Sequence, residues 1–324
     1  MNSSEPNLTR SDSSADSDKI IELYAHGKLL ISGEYLVLDG AKCLAVPAKY
    51  GQHFKVHRVN VKSDKVYWHA YNYQSKKWLD TCFSKSNLRT SKGFDDRENL
   101  ILRSLLEQCK KLNPAFLKDE DDILVECRLE FPNDWGLGSS STLIYFLSQW
   151  AKIDPYKLLF STMKGSGYDI ACASSDSALF YQLSPKGPKI EKVSFCPPFK
   201  DRIHFVHLNQ KRNSRAAILA YEEIKRERLP TKEIGGISTQ LAECRDQEVF
   251  NNLIEIHEGI VSSCLGIDTL KIKQFSDFDG SIKSLGAWGG DFVMVSRNTD
   301  FEEFKSYFNA KGYKTILSFD EMVL

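Results

Sequence analysis

No apolar run in this sequence approaches the length of a membrane span. Neither sign of charge predominates: Lys plus Arg and Asp plus Glu both number 43, so the composition carries no footprint for nucleic acid or a membrane surface. The eight cysteines include no C-x-x-C pair, which argues for reduced thiols rather than disulfides or a zinc site and fits a reducing cytoplasm. There is no G-x-x-x-x-G-K-[ST] phosphate loop and no H-E-x-x-H zinc motif, and the seven histidines do not cluster at metal-ligand spacing. Residues 1–19 are polar, rich in Ser and Asp, and lack the apolar segment of a secretory signal; they read as a disordered tail.

What is present is an ordinary globular composition, 42% hydrophobic and 27% charged, on a chain of 324 residues. That length exceeds most single cores, so two domains are expected. The cluster Cys196-Pro197-Pro198 marks the boundary, giving units 20–195 and 196–324.

One stretch organises the rest: Phe131-Pro132-Asn133-Asp134-Trp135-Gly136-Leu137-Gly138-Ser139-Ser140-Ser141. Before it, 122–131 alternates apolar and polar residues from Val125 onward, as a half-buried strand does. After it, Leu143, Ile144, Phe146, Leu147 and Trp150 recur at helical spacing. A strand running through glycines into a helix leaves free N–H groups and the positive end of the helix dipole at the turn, which suits phosphate. Taken alone, the same residues also describe an ordinary glycine turn with serine caps, and both readings stand.

Elsewhere the pattern predicts strands at 20–24, 42–49, 52–59 and 65–71 and around Trp78, together a meandering antiparallel sheet. An amphipathic helix follows at 98–112 and another helix at 152–163. Gly27 and Gly33 bracket an apolar run carrying Lys28, either a snorkelling surface lysine or a phosphate-facing cation. Lys164 to Ser175 is small and glycine-punctuated around Asp169, a turn residue or a carboxylate placed for chemistry. A strand at 178–183 follows that segment; in the second half, strands are expected at 203–208, 292–296 and 314–318, and helices from the basic cluster Lys211, Arg212, Arg215 to about 226, at 246–265 and near 302–310. This mixture predicts α+β in both halves.

Four segments in order resemble the signature motifs of the GHMP small-molecule kinases: GKLLISGEY, PNDWGLGSSS, GSGYDIA and GAWGGD, spanning roughly residues 20 to 296. The resemblance implies a two-domain kinase: an N-terminal α/β domain with a glycine-rich phosphate loop, and a C-terminal ferredoxin-like α+β domain. ATP and a small-molecule acceptor would share the cleft between them, with Mg²⁺ bridging the phosphates. By motif position Lys28 would neutralise the reacting phosphate and Asp169 would orient or deprotonate the acceptor. Gly136, Leu137, Gly138, Ser139, Ser140 and Ser141 would cradle the triphosphate, Ser140 also holding Mg²⁺, while Gly286 to Gly290 would complete the cleft. Phosphoryl transfer asks mainly for positioning and charge neutralisation.

Two departures stand out. Asp134 occupies a position where the family usually has glycine, and Ala151 to Tyr168 contains no glutamate, although the family often places a metal-binding glutamate there. Asp134 is therefore the expected second contributor, with Ser140, to the metal.

For the acceptor, Glu34 and Tyr35 look like phosphomevalonate kinases, as does Asp291, whereas NQKRNSR resembles a mevalonate-kinase segment. Glu34, Tyr35, Lys211, Arg212, Arg215, Gly289 and Gly290 are the expected acceptor-binding residues. A diphosphomevalonate decarboxylase and a catalytically weak, ligand-binding regulatory relative are the alternatives. Oligomeric state is not set by the sequence, a homodimer being compatible with it.

Overall fold

The computed structural model describes residues 19–90, 97–210, 214–224, 229–288 and 290–324. Two long strands begin it, β1 (Lys19–Ser32) and β2 (Cys43–Val59). They pair antiparallel from Lys19 with His57 to Ser32 with Leu44, so the segments expected as separate short strands are continuous through Gly27 and Gly51. A hairpin follows, β3 (Lys65–Tyr71) and β4 (Lys77–Ser84), then helix α1 (Arg97–Leu112) and strand β5 (Asp122–Leu129). The expected antiparallel meander holds for β1–β2 and β3–β4 but not for β5, which inserts between β2 and β3 and runs parallel to β3. A parallel neighbour requires a long crossover, and α1 lies in it.

Three helices come next: α2 (Ser139–Ala151), α3 (Pro155–Thr162) and the short α4 (Tyr168–Ala173). The hairpin β6 (Leu179–Ser184) and β7 (Gly187–Lys192) closes a seven-stranded sheet of order β4-β3-β5-β2-β6-β7, with β1 also on β2. The helices bury their apolar stripes on this sheet: Leu105 and Leu106 of α1 and Phe146 and Leu147 of α2 join Phe54, Trp68 and Val125 in one core. Phe54 and Phe146 stack with ring centroids 4.3 Å apart. Burying these side chains supplies the main driving force for docking the layer.

The second half runs β8 (Ile203–His207), α5 (Ser214–Glu223), α6 (Thr231–Glu243), α7 (Gln247–Leu265), α8 (Leu270–Gln274), β9 (Gly280–Ser284), β10 (Phe292–Arg297), α9 (Phe301–Ala310), β11 (Ile316–Ser318) and α10 (Phe319–Met322). Its sheet is antiparallel in the order β11-β8-β10-β9, the arrangement of a ferredoxin-like unit. Asp246 caps α7 by accepting from the Val249 N–H, and Gly266 ends that helix in the left-handed conformation. One hydrophobic core crosses between the halves, joining Leu29, Ile31 and Leu137 to Ile234, Phe250, Phe292 and Met294.

Candidate active site

β1 delivers Lys28 to the glycine turn. Its backbone N–H donates to the Leu137 carbonyl at 2.9 Å, and its ammonium donates to the Gly136 carbonyl, also at 2.9 Å. Strand and turn are thus joined twice at one residue. Gly138, at φ 93°, precedes α2 in a conformation that L side chains avoid, and the Ser141 hydroxyl donates back to its carbonyl at 2.7 Å. Ser139, the exposed Ser140 and the buried Ser141 all line a cavity of about 270 Å³. The free N–H groups of the first turn of α2 lie on that cavity wall.

Asp169 lies in the first turn of α4, on the same wall. Burial pushes its carboxyl above the usual aspartate range; the charge of Lys28, the Ile170 N–H and the Ser141 hydroxyl oppose that rise. Lys28 and Asp169, far apart in the sequence, therefore sense each other across the glycine turn.

The second half closes the cavity with Ala217 and Ile218 of α5 and with Gly286, Ala287 and Asp291. Tyr35 stacks on Tyr221 of α5 at 5.1 Å and accepts the Trp288 N–H at 3.2 Å; Tyr221 donates to Asp39. Lys164, another wall residue, bonds Glu222 at 2.6 Å, so α5 is tied to the first half at several points.

Trp135 anchors the turn from the other side, packed edge-on against Tyr50 and Phe292 and tilted toward His207. The His207 Nε2–H donates to the Asp134 carbonyl at 3.2 Å. Two residues expected at the site, Asp134 and Glu34, are not among those that line the cavity. Asp134 is exposed and is not among the cavity residues, because its backbone is held outward by His207 and its neighbour Trp135 takes the inward position. Glu34 is not on the wall either: it is fully buried, with its carboxylate 2.6 Å from the Lys283 ammonium. A lysine brought by β9 has drawn it into the interior. Tyr35 does line the cavity, and Gly290 is buried beside Asp291. Lys211, Arg212 and Gly289 lie outside the described residues, as does the side chain of Arg215 at the start of α5.

The role of Asp291 was not legible beforehand. Its carboxylate lies so close over Gly136 that a Cβ there would sit 1.9 Å from Oδ2. The acids on the described wall are Asp169 and Asp291; with the hydroxyls of Ser139 and Ser140 they form an oxygen donor set without thiol or imidazole, the chemistry that Mg²⁺ prefers.

No protein-family model and no curated protein sequence matches this chain. Solved structures do. Streptococcus pneumoniae phosphomevalonate kinase, in complex with phosphomevalonate and AMPPNP, superposes with a TM-score of 0.69 over 92% of this chain and 100% of its own, at 14% identity. Methanococcus jannaschii mevalonate kinase gives 0.63 over 92% and 96%, at 15% identity. Lactococcus lactis galactokinase complexed with galactose gives 0.64 over 94% and 93%, at 12% identity. The chain has the GHMP-kinase fold. Within that fold, the four sequence segments that resembled the kinase motifs meet around one cavity, although Glu34 of the first and Asp134 of the second turn away from it.

Proposed function

We propose that this protein is an ATP-dependent small-molecule kinase acting on mevalonate or phosphomevalonate. The observation that carries the reading is the convergence of Lys28, Asp169 and the N-terminal turn of α2 on one cavity. ATP would supply the phosphoryl group and Mg²⁺ would offset the charge of its phosphates.

The chain's own residues account for the remaining work. The turn from Gly136 to Ser140 offers backbone N–H groups to phosphate oxygens. Lys28 adds a fixed positive charge beside that turn, oriented by its bond to the Gly136 carbonyl. A carboxylate raised by burial is a better proton acceptor than an ordinary aspartate, so Asp169 suits removal of a proton from an acceptor hydroxyl. Tyr35, Val37, Leu38, Ala217 and Ile218 provide an apolar side to the cavity, suited to a short branched carbon chain. The neighbours of known name that act on mevalonate and phosphomevalonate support this acceptor class.

The test is to incubate the purified protein with Mg-ATP and each acceptor separately, following ADP release and identifying products by phosphorus NMR. A new monoester from mevalonate, or a new diphosphate from phosphomevalonate, supports the reading and chooses between acceptors. Absence of turnover with both defeats it.

A further inference from the structure

Lys164 begins the glycine-punctuated segment that carries Asp169, and both residues line the cavity. This segment is fixed from behind. The buried Tyr181 hydroxyl donates to the Ser166 carbonyl, and Gly167 lies so close to that phenol that a Cβ there would sit 3.0 Å from its oxygen. The tip of Lys164 is placed differently: its side chain is 62% exposed, and its ammonium lies 2.6 Å from the carboxylate of Glu222 in α5. Glu222 follows Ile218 by four residues, so it lies one turn along on the face of α5 that Ile218 turns to the cavity. The ion pair thus joins the segment carrying Asp169 to the helix on the opposite side of the cavity.

That pair is not all that holds α5. Tyr221 stacks on Tyr35 at 5.1 Å and donates to Asp39, and neither contact involves Lys164. An exposed lysine–carboxylate pair is hydrated and screened, so opening it costs little. A carboxylate carried into the cavity by a ligand offers the ammonium the same partner in a less hydrated setting, where a charge pair is stronger. Both acceptors named above carry a carboxylate apart from the group that receives the phosphoryl, while the Lys28 ammonium is oriented to the glycine turn by its bond to the Gly136 carbonyl. We propose that Lys164 is a specificity-determining residue that exchanges Glu222 for the acceptor's carboxylate, so that the site selects an anionic over a neutral acceptor. The assignment rests on the kinase reading above. Glu222 holds the ammonium at the wall until the acceptor arrives, and one ion pair then replaces another.

The experiment measures kcat and KM of the full chain for whichever of mevalonate and phosphomevalonate it phosphorylates, with AMPPNP affinity followed by titration calorimetry. Both side chains of the pair are exposed, so their substitution leaves the fold intact. Lys164→Gln should raise KM for the acceptor about 10- to 100-fold, the scale of a hydrogen bond to a charged group. Its kcat and AMPPNP affinity should stay within about threefold of the parent, because the lost contact is made equally in the ground and transition states. Glu222→Gln should leave KM unchanged or lower it, since the competing carboxylate has gone. This opposition separates recognition from a simple tie to α5, which either substitution would break alike. Lys164→Arg, which keeps the charge, should hold KM within about threefold. The acceptor's carboxamide, tested as a competitive inhibitor, should have the same inhibition constant in the parent and in Lys164→Gln. An unchanged KM in Lys164→Gln, equal rises in Lys164→Gln and Glu222→Gln, a loss in Lys164→Arg as large as in Lys164→Gln, or a carboxamide bound more tightly by the parent overturns the assignment and leaves the kinase reading intact. Absence of ADP release by the parent with either acceptor overturns both.

Discussion

The ammonium of Lys283 in β9 lies 2.6 Å from Oε1 of Glu34, just after β1, and neither side chain reaches solvent. Lys283 also donates to the Ser284 carbonyl at 2.9 Å and approaches Glu258 at 3.5 Å, while the Trp288 indole N–H donates to Glu258 at 3.3 Å. The Gly33 N–H donates to His257 Nε2 at 2.9 Å. A charged cluster thus sits behind the cavity, connecting the segment after β1 to α7, β9 and the glycine-rich segment that ends at Asp291.

Lys283→Met should destabilise the protein by about 3–5 kcal/mol, because it leaves a buried carboxylate without its counter-charge. Adding Glu34→Gln should recover part of the loss, since the stranded charge is then gone. Denaturant unfolding of both single variants and the double variant measures the coupling.

Burial raises Glu34 to about 7, against an ordinary value of 4.5, with Lys283 opposing the rise. Glu258 is also raised by burial, again opposed by Lys283. A raised carboxyl stabilises the fold below its unfolded value, and that contribution is lost as pH climbs through the folded value. Between pH 4.5 and about 7 the folded chain holds a proton that the unfolded chain has released, so stability should fall across this window. Melting curves at pH 5 and pH 8 should show the decrease in the parent and a smaller one in Glu34→Gln. An equal decrease in both would exclude Glu34 as its source.

Gly136→Ala introduces a Cβ 1.9 Å from Asp291 Oδ2 at a position where φ is 64°. The overpacking should cost about 1–3 kcal/mol in stability. Weakened AMPPNP binding should accompany it, because relief of the clash must shift the turn or the carboxylate. Calorimetry and thermal melting together check this.

Asp169→Asn should lower turnover with an alcohol acceptor by about 10²–10⁴-fold while leaving AMPPNP affinity within a few-fold. With phosphomevalonate the loss should be smaller, since a phosphate monoester has a second pKa of about 6 and is largely ionised already. Because burial raises Asp169, the acid limb of kcat/KM should lie above that of an ordinary aspartate, activity falling as pH drops through the raised value and the base becomes protonated. An unchanged profile in the variant would assign that limb to another group.

Much of the site was legible because its signals are local. The alternation of β5, the left-handed glycine before α2 and the apolar stripe of that helix lie within one short stretch, and backbone sterics and periodicity act over that range. The glycine-punctuated surroundings of Asp169 and the brackets of Gly27 and Gly33 around Lys28 left two readings each, and only the motif resemblance gave these residues a role at the site. Strand lengths were less legible: whether β1 passes through Gly27 depends on β2 continuing alongside it, which no window of β1 contains.

The sequence by itself determined a strand, glycine turn and helix able to receive phosphate, with a lysine and an aspartate of the right chemistry nearby. Only the tertiary structure decided which acids face the cavity. Glu34 and Asp134 both lie inside motifs that point to the site, yet Lys283 draws the first into the core and the packing of Trp135 and His207 leaves the second in solvent. Asp291, from the far end of the chain, takes the inward position over Gly136. Local stereochemistry is written in neighbouring residues, whereas the burial of a charge is set by the partner that the fold brings to it.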